Sequence, residues 1–294
     1  MRSLFAHTVD GPSEEAPRHS ENHLSKISRM YEESGARFRA PLSLALLSVA
    51  FQEYPSWLRS SVKVFMYDRL VLDLLGAGLV LAALLAVWAR TSRLAIAIFI
   101  VIAAISILPD WMAIANHTYL ALWSIPVAIL FREWWRSDLY AFYLRLTIGI
   151  VMLAAFSQKI LAGTYVDGSY IAWLSSNGSP TEQLFSFLCD RASPDPCVYY
   201  RAISIFILAW QLCVGILLLL GLNSLVFLAI EVGFLLGAGV YADEMNFQIL
   251  NIALLCIIFR YGMPLWLLAV SIALLVMDLY GISYFVGMVV NHAA

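Results

Sequence analysis

The chain has 294 residues, of which 62% are hydrophobic and 13% charged, with a formal net charge of −2 and a mean hydropathy of +0.81. Soluble domains are about 45–50% apolar and about 25% charged, so this composition excludes a soluble globular domain and indicates an integral membrane protein. The near-neutral charge balance also excludes a strongly basic nucleic-acid binder.

Residues 1–39 are polar and carry charges of both signs. The opening MRSLFA is followed at once by His7, Thr8, Val9, Asp10, Gly11 and Pro12, so the apolar core of a secretory signal is missing. We expect a cytoplasmic tail. Within it Leu24, Ile27 and Tyr31 fall at helical spacing beside Lys26 and Arg29, which suits a short interfacial helix as well as an unordered tail.

Residues 40–294 form the expected membrane domain. A membrane helix needs about 20 apolar residues. The candidate runs are 40–57, 70–89, 94–108, 119–131, 146–162, 203–222, 224–240, 247–258 and 264–290. Backbone groups in lipid must pair within their own segment, so the sequence predicts an all-α, polytopic integral membrane protein of eight or nine transmembrane helices. The first run is either a span or a re-entrant segment. Gly76, Gly78 and the Gly-x-x-x-Gly of Gly233 and Gly237 predict close helix contacts.

Arg90, Arg93, Arg132, Arg136, Arg145 and Arg260 fall on alternate connections together with the basic tail. The positive-inside rule puts these in the cytoplasm. The intervening connections are acidic or neutral, and the long loop 163–200 is expected outside. Arg59, Lys63 and Arg69 run against this scheme.

On that topology Asp110, Trp111, Asn116, His117, Lys159, Tyr165, Asp167, Asp243, Glu244 and Asn246 fall at the outer mouths of different helices. Groups at one depth from separate helices could line one cavity. Lys159 is the only lysine after Lys63. Aimed into a dry pocket it becomes a general base; turned outward it is a snorkelling anchor. His117 is too isolated to make a metal site, and is either a proton shuttle, a partner for a polar headgroup or a structural histidine. Glu231 lies near the middle of its span and Gln211 within the preceding one; they read as a helix–helix hydrogen bond or as a functional polar pair. Cys189 and Cys197 flank DRASPDP in the long loop, as a disulfide if that side is oxidising or as two free thiols. No phosphate loop, CxxC, nucleophile elbow or haem-binding pattern is present.

The segments Asp110-Trp111, Asn116-His117-Thr118-Tyr119-Leu120, Lys159 and Asp167-Gly168 together resemble the horizontally transferred transmembrane (HTTM) family, which includes the vitamin K-dependent γ-glutamyl carboxylase. Its members carry Asn-His-x-Tyr-Leu entering one helix and Lys-Leu-x-x-x-Trp-x-x-Gly at an outer helix mouth. The likeness runs over most of residues 41–264. Here Ile160 replaces the leucine, Tyr165 stands near the tryptophan position, and one extra residue precedes Gly168. Asp243 stands where the carboxylase has a histidine before its Met-Asn pair, here Met245-Asn246.

The resemblance implies a bacterial inner-membrane protein with a quinone-like or lipid molecule as cofactor or substrate. Lys159 would be its base, with His117 and Asp243 as polar partners. Asn116, Tyr165, Trp111 and Asn246 would contact the bound molecule. The 294 residues hold no counterpart of the carboxylase's large lumenal domain, so glutamate carboxylation of a protein is not the expected reaction. More distantly, the helical body is similar to DoxX-like quinone-linked membrane proteins. Two other functions fit the residues. One is an accessory protein for maturation or export of a secreted peptide, with that peptide or a membrane protein as partner. The other is a small-molecule transporter with Gln211 and Glu231 as its midplane site.

Overall fold

The computed structural model describes residues 23–59, 68–108, 116–176, 189, 197–242 and 244–279. Among the described residues there are helices and no strands. In chain order they are α1 (His23–Glu33), α2 (Ala40–Arg59), α3 (Arg69–Ala86), α4 (Ser92–Ile102), α5 (Asn116–Ser124) and α6 (Asp138–Ala162), then α7 (Ser169–Ser176), α8 (Val198–Leu219), α9 (Leu225–Ala242), α10 (Met245–Ile258) and α11 (Leu265–Leu279). A π turn, Ala103–Ile107, prolongs α4, and 3-10 turns follow α5.

Four helices, α3, α6, α8 and α9, are long and apolar enough to cross a membrane among the described residues; α4, α10 and α11 are apolar but shorter. The outward faces are apolar too. Leu70, Leu74 and Leu84 on α3, Phe142 and Ile150 on α6, and Val226 and Ile230 on α9 are all exposed. Such a surface suits lipid and not water. The run 119–131 is not one continuous α-helix, because the backbone tightens into 3-10 form over Pro126–Leu130. Proline brings no N–H to continue the α ladder. In α2, Gln52, Glu53 and Pro55 interrupt the apolar run.

The centre of the bundle is α10. Met245 and every residue from Gln248 to Ile258 are buried, against α2, α6, α9 and α11. A helix that is hydrophobic all round belongs in an interior. Protein covers α10 instead of lipid, so its 14 residues need not match the bilayer.

Where helices approach most closely, glycine permits it. A Cβ on Gly149 of α6 would stand 3.3 Å from the Gly215 carbonyl oxygen of α8, and one on Gly215 would stand 3.2 Å from that of Gly149. The Tyr54 ring of α2 lies on Gly76, and the Ile102 side chain lies on Gly78, as the small residues predict. Gly233 and Gly237 do otherwise: no heavy atom lies within 4 Å of where a Cβ would be. They face open space, not a helix.

One end of the bundle is basic. The Met263 N–H donates to the Arg37 carbonyl at 2.9 Å, Arg39 Nε donates to the Val87 carbonyl at 2.7 Å, and Arg260 pairs with Asp138. Arg93 Nη2 reaches the Ile129 carbonyl at 3.4 Å. The arginine-bearing connections therefore gather at one end, and α1 joins them through a Tyr31 hydroxyl bond to the Met263 carbonyl at 2.9 Å. Lys159 stands near the opposite end of α6.

Candidate functional site

The site is built on α6. Ser137 caps its start by accepting the Tyr140 N–H at 3.2 Å, with Asp138 in the first turn where the helix dipole favours an acid. Gly163, at φ 77°, ends it because the left-handed cap is costly for any residue with a Cβ. Lys159 lies in the last turn. Helical side chains lean toward the N-terminus, so the lysine stem runs back into the bundle, away from the mouth. Its Nζ donates to Gln211 Oε1 on α8 at 2.9 Å and lies 4.8 Å from the centre of the Tyr165 ring. Because α6 and α8 are antiparallel, the two side chains lean toward each other. A snorkelling anchor would point the other way.

Lys159 lines a cavity of about 940 Å³. Its walls are α6 and α8 on one side and α9 with the start of α10 on the other, closed by α5 and α7. Although α8 and α9 are consecutive, α8 packs on α6 and α9 on α10. Rings fill part of the space between them. Trp210 and Phe234 have centroids 5.4 Å apart, and Phe206 and Phe234 6.2 Å.

At the mouth, Tyr165 stacks on Tyr170 with centroids 4.3 Å apart. Burial pushes the Tyr165 phenol above its ordinary range, reinforced by Tyr170. Glu244, just before α10, also lines the cavity. Its side chain reaches solvent at the mouth but is ringed by protein. Burial holds its carboxyl above the usual carboxylate range, and the charge of Lys159 opposes that shift.

Deeper in, Glu231 is 1% exposed and its Oε2 accepts the Trp210 Nε1–H at 2.7 Å. The expected bond between Gln211 and Glu231 is not made. Residues 210 and 211 point about 100° apart on a 3.6-residue helix, so Trp210 meets Glu231 on α9 while Gln211 meets Lys159 on α6.

Of the predicted residues, Asn116, Lys159, Tyr165, Gln211, Glu231 and Glu244 share this cavity. Others stand elsewhere. His117 is one step round α5 from Asn116 and turns its ring to Phe247, with centroids 6.0 Å apart; its buried Nε2 has no hydrogen-bond partner among the described residues. Asn246 donates to Asp278 Oδ2 at 2.7 Å, tying α10 to α11. Asp167 accepts the Ser169 N–H at 2.8 Å and caps α7, and those bonds hold its carboxyl below the usual range. Asp110, Trp111 and Asp243 lie outside the described residues.

Cys189 and Cys197 are joined as a disulfide. Cys189 packs against Ile171, Leu174 and Tyr200, which fastens α7 to the head of α8. Gly168, at φ 84°, completes that join, since a Cβ there would stand 2.7 Å from the Arg201 nitrogen. Cys213 and Cys256 are free thiols. No group of three or more His, Cys, Asp or Glu side chains able to hold a metal forms among the described residues. Comparison with protein-family models, with characterised proteins and with solved structures finds no match.

Sequence reasoning missed the aromatic wall. The signal was present: Phe206 and Trp210 are spaced i, i+4 on the helix that carries Gln211, a spacing that puts both rings on one face. A polar residue next to an aromatic face of a membrane helix points to a lined cavity more than to lipid contact.

Proposed function

We propose that the chain is an HTTM-like membrane enzyme that takes a quinone-like or lipid molecule into this cavity and uses Lys159 as its base. In this reading nine helices cross the bacterial inner membrane, the N-terminus is cytoplasmic, and the Lys159 end opens outward. The observation that carries it is the direction of the lysine, whose amine is held by Gln211 inside an aromatic-walled cavity. A general base must come within about 2.6–3.2 Å of the proton it takes, and a molecule seated beside Tyr165 and Asn116 meets the amine. Glu244 is the carboxylate best placed to accept the proton onward, because its charge and that of Lys159 already interact. His117 does not line the cavity; its ring rests on Phe247, which does, and it has no proton to move in this reading.

The test is mass spectrometry of small molecules that co-purify with the protein, followed by their turnover. Wild type should retain a stoichiometric amphiphile with a polar head. Lys159→Ala should stay in the membrane at normal level and lose turnover. If Lys159→Ala and Lys159→Arg both turn the molecule over at the wild-type rate, the base assignment fails. A second reading, transport, is favoured by the depth of Glu231 in the same cavity; it requires Glu231→Gln to be the damaging change and Lys159→Ala to be tolerated.

A further inference from the structure

The cavity has a second pole that base chemistry at Lys159 leaves unused. Glu231 lies six residues into α9, about 9 Å from its start at 1.5 Å per residue. It is almost wholly buried. Its hydrogen bond comes from a neutral donor, Trp210 Nε1–H, and no cation is bonded to it among the described residues. The one cation lining the cavity, Lys159, is held by Gln211. A charged carboxylate at this depth needs a cation beside it, and without one the group keeps its proton; a cation entering the site would take that proton's place.

The surroundings say what that cation would be. Phe206, Trp210 and Phe234 form a ring cluster with centroids 5.4–6.2 Å apart, and aromatic faces attract cations, most strongly where water is excluded. Beside them Gly233 and Gly237 line the same cavity and leave open space where side chains would be. An anion here would be repelled by an ionised Glu231. A plain hydrocarbon would leave it protonated. A cation with apolar substituents answers both the charge and the rings.

We propose that the deep half of the cavity is a binding site for a lipophilic organic cation, with Glu231 as its counter-ion and Phe206, Trp210 and Phe234 as its aromatic wall. The site does not depend on Lys159 acting as a base.

The probe is tetraphenylphosphonium, with tetraphenylborate, an anion of nearly the same shape, as the control for simple partition. Binding to the purified full chain in nanodiscs is measured by equilibrium dialysis with radiolabelled probe. Saturable phosphonium binding is expected, and the borate should not compete for it. Glu231→Gln keeps an acceptor for the Trp210 N–H and should weaken phosphonium binding by about ten-fold or more, the scale of one desolvated charge contact. A Cβ at Gly237 meets no heavy atom within 4 Å, so Gly237→Leu should project into the cavity and block binding. Lys159→Ala should bind within about three-fold of wild type, so loss of the base reading and loss of this one are separable. Equal binding of phosphonium and borate, or Glu231→Gln and Gly237→Leu variants that both bind as wild type does, overturns the proposal.

Discussion

Replacing Lys159 with methionine keeps an unbranched side chain one atom shorter and deletes its charge. Burying an ammonium costs several kcal/mol even after relaxation. Against that, a charged hydrogen bond such as the 2.9 Å contact to Gln211 contributes about 1.5–3 kcal/mol in soluble proteins, but pairs between membrane helices average only about 0.6 and reach about 1.7 kcal/mol. The Tyr165 ring at 4.8 Å adds about 0.5–2 kcal/mol. The returns therefore come to about 1–4 kcal/mol, and partial hydration from the cavity lowers the cost of burial. A small deficit is left. Lys159→Met should be as stable as wild type or more stable by about 1 kcal/mol, while turnover is lost.

The neighbouring substitution has the opposite sign. Gln211→Leu leaves the ammonium in place without its acceptor and should cost about 1–2 kcal/mol. The double variant should return to the level of Lys159→Met, since with both partners gone nothing is left unpaired. Unfolding by a denaturing detergent in mixed micelles, followed by tryptophan fluorescence, resolves differences of this size. If Lys159→Met loses more than about 1 kcal/mol while Gln211→Leu is silent, the lysine is an anchor and the argument from its direction is wrong.

The helix contacts give a paired prediction. Gly149→Ala and Gly215→Ala each force an approach of 2.9 Å on a leucine side chain and should cost about 1–3 kcal/mol. Gly233→Ala and Gly237→Ala meet nothing and should gain up to about 1 kcal/mol from helix propensity; thermal melts that shift all four alike would refute the close α6–α8 contact. Glu244→Gln tests the mouth by pH. Burial raises the folded carboxyl's pKa, so the folded chain binds more protons, and stability falls as pH rises from about 4.3, the ordinary value, toward the raised one. The glutamine variant should thus gain on wild type across that window, and gain more in a Lys159→Met background, where the opposing cation is absent. A difference that stays flat between about pH 4 and 8 counts against it. Cys189→Ser with Cys197→Ser opens a loop of sequence separation 8 and should cost about 2–3 kcal/mol by loop entropy, read as the stability gap between oxidised and reduced wild type.

Much of the fold was legible because membrane helices advertise themselves by length and apolar content. α3, α6, α8 and α9 match runs read from the sequence, and Arg37, Arg39, Arg93 and Arg260 gather at one end, while Arg69 and Arg201 head helices at the other. Gly76 and Gly78 sit under neighbouring side chains as predicted. Direction was harder. Hydropathy gives the depth of a residue but not its angle about the helix axis, so His117 and Asn116 looked equivalent while only Asn116 lines the cavity. The same blindness paired Gln211 with Glu231, when a step of one residue on α8 sends them to different partners. Lys159 illustrates the converse. Its identity left base and anchor open, and the sequence could not show that the stem leans back into the bundle to meet Gln211, the direction the proposed base requires.

The glycines show why a motif alone does not foretell a contact. Gly149 and Gly215 face each other, and nothing bulky intervenes, so α6 and α8 close until backbones nearly touch. Gly233 and Gly237 sit on α9, whose partner across the gap is the aromatic face of α8. Phe206 and Trp210 reach Phe234 first, and ring contact between side chains halts the approach well before backbones could meet. Small residues opposite small residues make a seam; small residues beside a strut of rings make a void. The void then persists because Glu231 and Lys159 both line it, and closing apolar walls over these groups would remove what little hydration they have. Packing and electrostatics thus favour the same open cavity, and a substitution that shortens the strut, such as Phe234→Ala, should let α9 settle toward α8 and shrink the space around both charges.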